Sequence, residues 1–224
     1  MAIKQIYPTN IYQKQLDISE EKLQAVESFL RAQHLSFLSN VDMDHTEYQD
    51  GNENIVIDAI IEGQCPEMTE LIDEVKKGFI SLAYSNIDAL TESNSESMVL
   101  DVELDSCKIN LMKNGFRLGA HTHYSDDAFA CIYFNDVKKD EGGELVLYDP
   151  RWQRNYYFGG SKLEKVESKR GMMVIAPQYL WHEVTHYHGN EERLTLVVNA
   201  QVVNKGDELR NKRTLHTVYF WNTI

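Results

Sequence analysis

Gly171-Met172-Met173-Val174-Ile175-Ala176-Pro177, then Trp181-His182-Glu183-Val184, then Arg193-Leu194-Thr195-Leu196-Val197-Val198-Asn199 stand close together near the end of the chain. The first and third are apolar with β-branched residues, Trp181 to Val184 is strand-like, and turn-forming residues separate them, so each reads as a strand. Alternate residues of a strand point the same way, which puts Arg193 and Thr195 on one face of an otherwise apolar run. The plainer reading of Arg193 is a sheet-edge salt bridge to Glu191 or Glu192. The apolar neighbours argue instead for an inward guanidinium, and a guanidinium facing a barrel interior needs an anion. Its planar fork suits a carboxylate.

Working outward, the pattern persists upstream. Met98-Val99-Leu100-Asp101-Val102-Glu103-Leu104 and Cys107-Lys108-Ile109-Asn110-Leu111-Met112 alternate, Asn114-Gly115 signals a turn, and Ala130-Cys131-Ile132-Tyr133-Phe134 is a further apolar run. Glu141-Gly142-Gly143 turns into Glu144-Leu145-Val146-Leu147-Tyr148. Short strands at this spacing predict a sandwich or barrel. Residues 149–170 read as a long polar and aromatic insertion, either a solvated loop or a lid.

Between these strands lies His121-Thr122-His123. On a strand, two residues two apart share a face, and His182 supplies a third histidine in a β context. Imidazole suits iron, copper, nickel and zinc, so a convergence of the three predicts a transition-metal site. Taken singly, each has a blander reading: His-x-His as polar residues at a strand end, His182 as a satisfied core histidine. His186 and His188, beside the Gly189-Asn190 turn, read as exposed.

The amino-terminal part has a different period. Ser19 caps a helix that Glu20 and Glu21 favour by charge, and Leu23, Val26, Phe29 and Leu30 carry it to about His34. Pro66 opens a second helix with Met68, Leu71, Ile72, Val75, Phe79 and Leu82 as its apolar stripe. Residues 3–16 read as extended and 39–54 as loop. Ile55-Val56-Ile57 and Ile60-Ile61 stay open between helix and strand. The polar run 91–97 is the best boundary. The resulting plan is mainly β with N-terminal helices: residues 1–97 support the core, 98–204 form a jelly roll with helices packed on one face, and 205–224 extend the same domain. Thr214 to Trp221 adds an edge strand or meets a partner chain, which leaves room for a homodimer.

The chain has 224 residues and a net charge of −13. That charge, without a basic cluster, argues against nucleic acid as a partner. Three widely spaced cysteines, Cys65, Cys107 and Cys131, read as reduced buried thiols of a cytoplasmic protein. There is no secretory leader pattern and no apolar run long enough for a transmembrane helix, so no membrane partner is expected.

The run from Ile109 through Asn199 resembles the double-stranded β-helix core of the Fe(II)- and 2-oxoglutarate-dependent oxygenases, prolyl 4-hydroxylase branch. The matching text is Asn114-Gly115, His121-x-His123, Ile132-Tyr133-Phe134-Asn135, Gly142-Gly143-Glu144-Leu145, Gly171 to Pro177, His182-Glu183-Val184 and Arg193-x-Thr195. It covers less than half of the chain. The resemblance implies that His121 and His182 bind Fe(II), and that Arg193 pairs with the distal carboxylate of 2-oxoglutarate, helped by Thr195 and the Tyr133 hydroxyl. It implies a dioxygenase that hydroxylates an aliphatic C–H of a small molecule or peptide, with a prolyl or other amino-acid side chain as the family's commonest suggestion. Succinate and CO2 are released, and ascorbate is an auxiliary the family allows.

Two departures stand out. The family places a carboxylate where this chain has His123, so either His123 completes a three-histidine site or Asp126 or Asp127 supplies the third ligand. Met112 stands where many relatives have a tyrosine near the co-substrate, which leaves the proximal carboxylate contacts open. Two rivals compete: a cupin-type metal enzyme without 2-oxoglutarate, in which Arg193 has no role, and a non-enzymatic jelly-roll binding protein, which leaves the convergent polar residues unexplained.

Overall fold

The structure is a computed structural model describing residues 9–40, 55–88, 99–123, 126–150 and 163–205. Its elements in order are β1 (Tyr12–Gln15), α1 (Glu20–Asn40), α2 (Ile55–Ile61), α3 (Pro66–Asp88), β2 (Leu100–Met112), β3 (Leu118–His121), β4 (Ala128–Tyr133), β5 (Leu145–Tyr148), β6 (Leu163–Val166), β7 (Met172–Pro177), β8 (His182–Val184) and β9 (Arg193–Asn204). The strands form two antiparallel sheets, β1-β7-β4-β9-β2 and β3-β8-β5-β6.

Helix α1 starts where Ser19 Oγ accepts the Lys22 N–H, satisfying one of the orphan donors of a helix start. With no glycine or proline to stop it, α1 runs on to Asn40, past the expected end at His34. The ambiguous apolar runs at 55–61 prove to be one helix, because Val56 and Ala59, three apart, share its buried face. Helix α3 lies on the larger sheet with Met68, Leu71, Val75 and Phe79 buried. Gly78 permits the approach: a Cβ there would sit 2.6 Å from Ile175 Cδ1. One core thus fills the space between the helices and the larger sheet, and a second lies between the two sheets. Arg170 ties α1 to this sandwich through Glu20, Glu27 and the Phe134 carbonyl.

The two strands expected at 98–112 are one continuous β2, with a pairing irregularity between Leu104 and Ser106 where it follows β9. Part of the expected 149–170 insertion is a strand, since β6 pairs with β5 along its whole length. Its alternation of Leu163 with Glu164 and Lys165 is too polar to register as a strand from sequence. The remainder, residues 151–162, lies outside the described residues, as do residues 41–54 of the loop expected over 39–54, the run 91–97 and the segment 214–221; residues 39–40 of that loop belong to α1. The three cysteines are free and buried. Among the described residues, no helix is long and apolar enough to cross a membrane.

Candidate active site

Strand parity on the larger sheet separates two environments. On β9, Leu194, Leu196, Val198 and Ala200 join the helix-side core. Arg193, Thr195 and Val197 line a pocket between the sheets. On β4 the same division sends Ala130 and Ile132 to the helices and Phe129, Cys131 and Tyr133 to the pocket.

The three histidines converge at this pocket. His121 and His182 are registered partners across β3 and β8. His123 lies beyond the end of β3, so strand parity is not what brings it in. Its N–H donates to the Gln178 carbonyl, and its ring stacks on Phe129 with centroids 5.0 Å apart. The ligand nitrogens of all three lie within 4.8 Å of one another, and His123 Nε2 is 3.3 Å from His182 Nε2. A carbonyl only accepts, so the contacts of His121 Nδ1 with Gly119 O (2.8 Å) and of His182 Nδ1 with Leu180 O (2.9 Å) place the ring protons on Nδ1. That leaves Nε2 of each as a lone-pair donor, the arrangement metal-binding imidazoles use. Burial, reinforced by neighbouring positive charge, pushes His182 down to about 3 and His123 down to about 4. Both rings are neutral at physiological pH.

Asp126 and Asp127 do not join this cluster. Asp127 Oδ2 accepts the Val202 N–H of β9, just before β4 begins. Asp126 is buried, and burial together with Asp105 raises its carboxyl to about 6.

The other end of the pocket holds Arg193, Tyr133 and Thr195, all buried. Arg193 Nη1 lies 3.4 Å from the Met112 sulfur, and its guanidinium carbon stands 5.3 Å from the Tyr133 ring centre. Among the described residues no carboxylate is paired with it: Glu192, one of the two expected surface partners, pairs with Arg31 and Lys113 instead. Burial draws the Arg193 guanidinium below its ordinary value and pushes the Tyr133 phenol up. Arg193 Nε, Thr195 Oγ1 and Tyr133 OH have no hydrogen-bond partner among the described residues. Buried donors are rarely left so, and three together form a ready anion cradle. Gly143 makes room for it, with a left-handed φ of 70° and a Cβ position only 3.3 Å from Arg193 Cδ.

Tyr133 is registered opposite Thr195, and Phe129, four residues back on β4, opposite Asn199. Along β4 these two positions are four residues, about 13 Å, apart, so the pocket runs from the cradle to the ring on which His123 stacks. That is room for a five-carbon dicarboxylate with one end at a metal and the other at the guanidinium. Three neutral nitrogens, a buried cation and two hydroxyls fit Fe(II) and 2-oxoglutarate as a donor set. Phe129 and Asn199 were not evident beforehand as site residues. Parity with Arg193 and Thr195 was the signal that pointed at Asn199. His186 and His188 are exposed and stack on each other with ring centres 6.1 Å apart.

Residues 107–201, which include every residue named in this pocket, match the model of the 2OG-Fe(II) oxygenase superfamily. No curated protein matches the chain. Among solved structures, a prolyl hydroxylase of Trichoplax adhaerens in complex with a hypoxia inducible factor peptide fragment is 12% identical, with a TM-score of 0.51 over 86% of this chain and 83% of that one. HygX of Streptomyces hygroscopicus with nickel and 2-oxoglutarate bound is 12% identical, with a TM-score of 0.51 over 86% of this chain and 82% of that one. A prolyl 4-hydroxylase of Phytophthora capsici is 16% identical, with a TM-score of 0.51 over 85% of this chain and 58% of that one. These likenesses show the jelly-roll fold of the oxygenases.

Proposed function

We propose that this chain, whose residues 107–201 are a 2OG-Fe(II) oxygenase domain of the prolyl 4-hydroxylase-like kind, hydroxylates an aliphatic C–H bond of an amino-acid side chain, free or within a peptide. The enzyme is a dioxygenase dependent on Fe(II) and 2-oxoglutarate. The observation that carries the reading is the pairing of a three-histidine cluster with a buried, carboxylate-free Arg193 in one pocket. The Trichoplax structure holds a peptide, which supports a peptide as one substrate class.

In this reading His121, His123 and His182 hold the iron, and Arg193 grips the distal carboxylate of 2-oxoglutarate through its fork, with Thr195 and Tyr133 donating hydroxyl hydrogen bonds. Bound there, iron with the 2-oxo acid would supply a dioxygen-dependent oxidation, one oxygen atom of O2 entering the C–H bond and the other the succinate that remains as CO2 leaves. The chain's own part is positional. The carbonyls of Gly119 and Leu180 hold two imidazoles in the ligating tautomer. Phe129, Leu145, Val184 and Val197 line the pocket with apolar surface and keep water from it. The catalytic core expected over 98–204 holds the pocket, and the helices of the expected 1–97 support pack on its larger sheet; the extension from residue 206 lies outside the described residues. Three buried free thiols suit the cytoplasm.

The test has two steps. Anaerobic protein with Fe(II) and 2-oxoglutarate should develop a weak visible charge-transfer band. Succinate release should then be accelerated by some member of a panel of free amino acids and proline-containing peptides. The absence of the band would leave a cupin-type site as the better reading. The band without substrate-stimulated succinate across the panel would reject the amino-acid substrate class alone.

A further inference from the structure

Two of the three histidine rings have a backbone acceptor behind them, and the third has none among the described residues. His123 lies past the end of β3, and turns Nε2 toward His182 Nε2. Its other nitrogen therefore needs an acceptor elsewhere if Nε2 is to keep its lone pair. The candidate is on β9. Asn199 is buried and opposite Phe129, the residue on which the His123 ring stacks. Its Nδ2 donates to Ser106 Oγ at 2.8 Å, a fully buried contact between β9 and β2. With Nδ2 committed to Ser106, Oδ1 is left over, buried and with no hydrogen-bond partner among the described residues.

We propose that Asn199 is the positioning residue for His123: Oδ1 accepts the Nδ1 proton, which fixes the tautomer and aims Nε2 at the metal. The inference rests on the three-histidine reading of the site. It has a chemical rationale. Every metal-ligating imidazole gains basicity when its second nitrogen donates to an oxygen. In a site without a ligating carboxylate, that is the means left to make His123 a stronger donor. The reverse orientation of the amide would aim an N–H at His123 Nδ1, put the ring proton on Nε2 and abolish ligation.

Two measurements test this, both independent of turnover. In metal-free protein with nitrogen-15-labelled histidine, long-range nitrogen–proton correlation should show His123 as the Nδ1–H tautomer, and Asn199→Ala should shift it toward Nε2–H. Titration with Co(II), followed by its visible absorption, should show Asn199→Ala binding at least about tenfold more weakly. Asn199→Asp, whose carboxylate can only accept, should stay within about threefold of the wild type or bind more tightly. A merely structural Asn199 gives the opposite pattern: an unchanged tautomer, and Asn199→Asp as damaging as Asn199→Ala. Should Asn199→Ala fail to fold, the wild-type tautomer and Asn199→Asp decide alone. His123→Ala separates the premise from the inference. Undiminished Co(II) affinity there removes His123 from the metal and overturns both, whereas loss there combined with a normal Asn199→Ala overturns only the role of Asn199.

Discussion

The two faces of strands β4 and β9 are built from alternate residues of the same backbone, yet they obey different rules. The helix-facing side, with Leu194, Leu196, Val198, Ala130 and Ile132, is wholly apolar. The pocket-facing side carries Arg193, Thr195, Tyr133 and Asn199, each with at least one buried polar atom that finds no partner among the described residues. Such an atom costs about 1–3 kcal/mol. One face is therefore organised for stability and the other tolerates a cost that a ligand would offset. Substitutions on the first should unfold the protein without touching ligand affinity, and substitutions on the second should do the reverse.

The largest effect expected is on metal. His182→Ala removes one of three converging ligands and should reduce bound Fe(II) to near nothing, with circular dichroism unchanged. An unaltered iron stoichiometry would take His182 out of the site. On the opposite face, Leu196→Ala should destabilise by about 3 kcal/mol, as full truncations in a close-packed core do. Denaturant unfolding measures it, and the folded fraction should still bind Co(II) with wild-type affinity. A loss of affinity there would mean that the two faces are coupled.

Next comes Arg193. Arg193→Leu should weaken 2-oxoglutarate binding to the anaerobic Fe(II) protein by roughly a hundredfold or more, since a desolvated charge pair contributes on the order of 2–5 kcal/mol. The metal-free variant should be no less stable than the wild type, because replacing an unpaired buried charge by an apolar side chain is commonly neutral or favourable. Arg193→Lys should restore only part of the affinity, a point charge being unable to reproduce the fork. A variant that binds 2-oxoglutarate normally would undo the division between the faces at its most polar position.

How much of this could be read beforehand follows from the same division. Period-two alternation exposed the strands and put Arg193, Thr195 and Tyr133 on one inner face, because burial on both sides of a strand leaves so few polar residues that each is conspicuous. His121 and His182 were visible as residues of strand-like runs. His123 was also picked out, but on the supposition of a continued strand, whereas β3 ends at His121 and the backbone beyond it positions the ring. A turn has no periodicity to read. Strand β6 escaped for a related reason: it is an edge strand with three exposed residues, so no buried face marks it. Asn199 escaped as a site residue although its parity with Arg193 and Thr195 put it on the inner face, because what it lies opposite, Phe129, comes from cross-strand register.

The smallest expected effect concerns Asp126, the acid weighed against His123 as third ligand. It is buried but outside the histidine cluster, and its Oδ1 has no partner among the described residues. A buried polar group with no ligand to meet should be a plain liability. Asp126→Asn should therefore leave Co(II) affinity unchanged while His123→Ala weakens it. The stability effect has a pH signature. Burial and Asp105 raise the folded carboxyl to about 6, against 3.8 for the free group. Between those values the folded protein keeps a proton that the unfolded chain has released. Stability thus falls as pH rises through that window, and the whole penalty stands above pH 6. Asparagine carries no charge at any pH and escapes it. The variant should exceed the wild type by about 1 kcal/mol at pH 7.5, a shift discounted for the water that reaches Asp105, and the gain should fade toward pH 4. Urea unfolding of both metal-free proteins at the two pH values checks this, since contributions from the histidines cancel in the difference. A variant less stable at pH 7.5, or one that loses Co(II), would show that Asp126 serves the site, and the boundary between the two faces would have to be redrawn to include it.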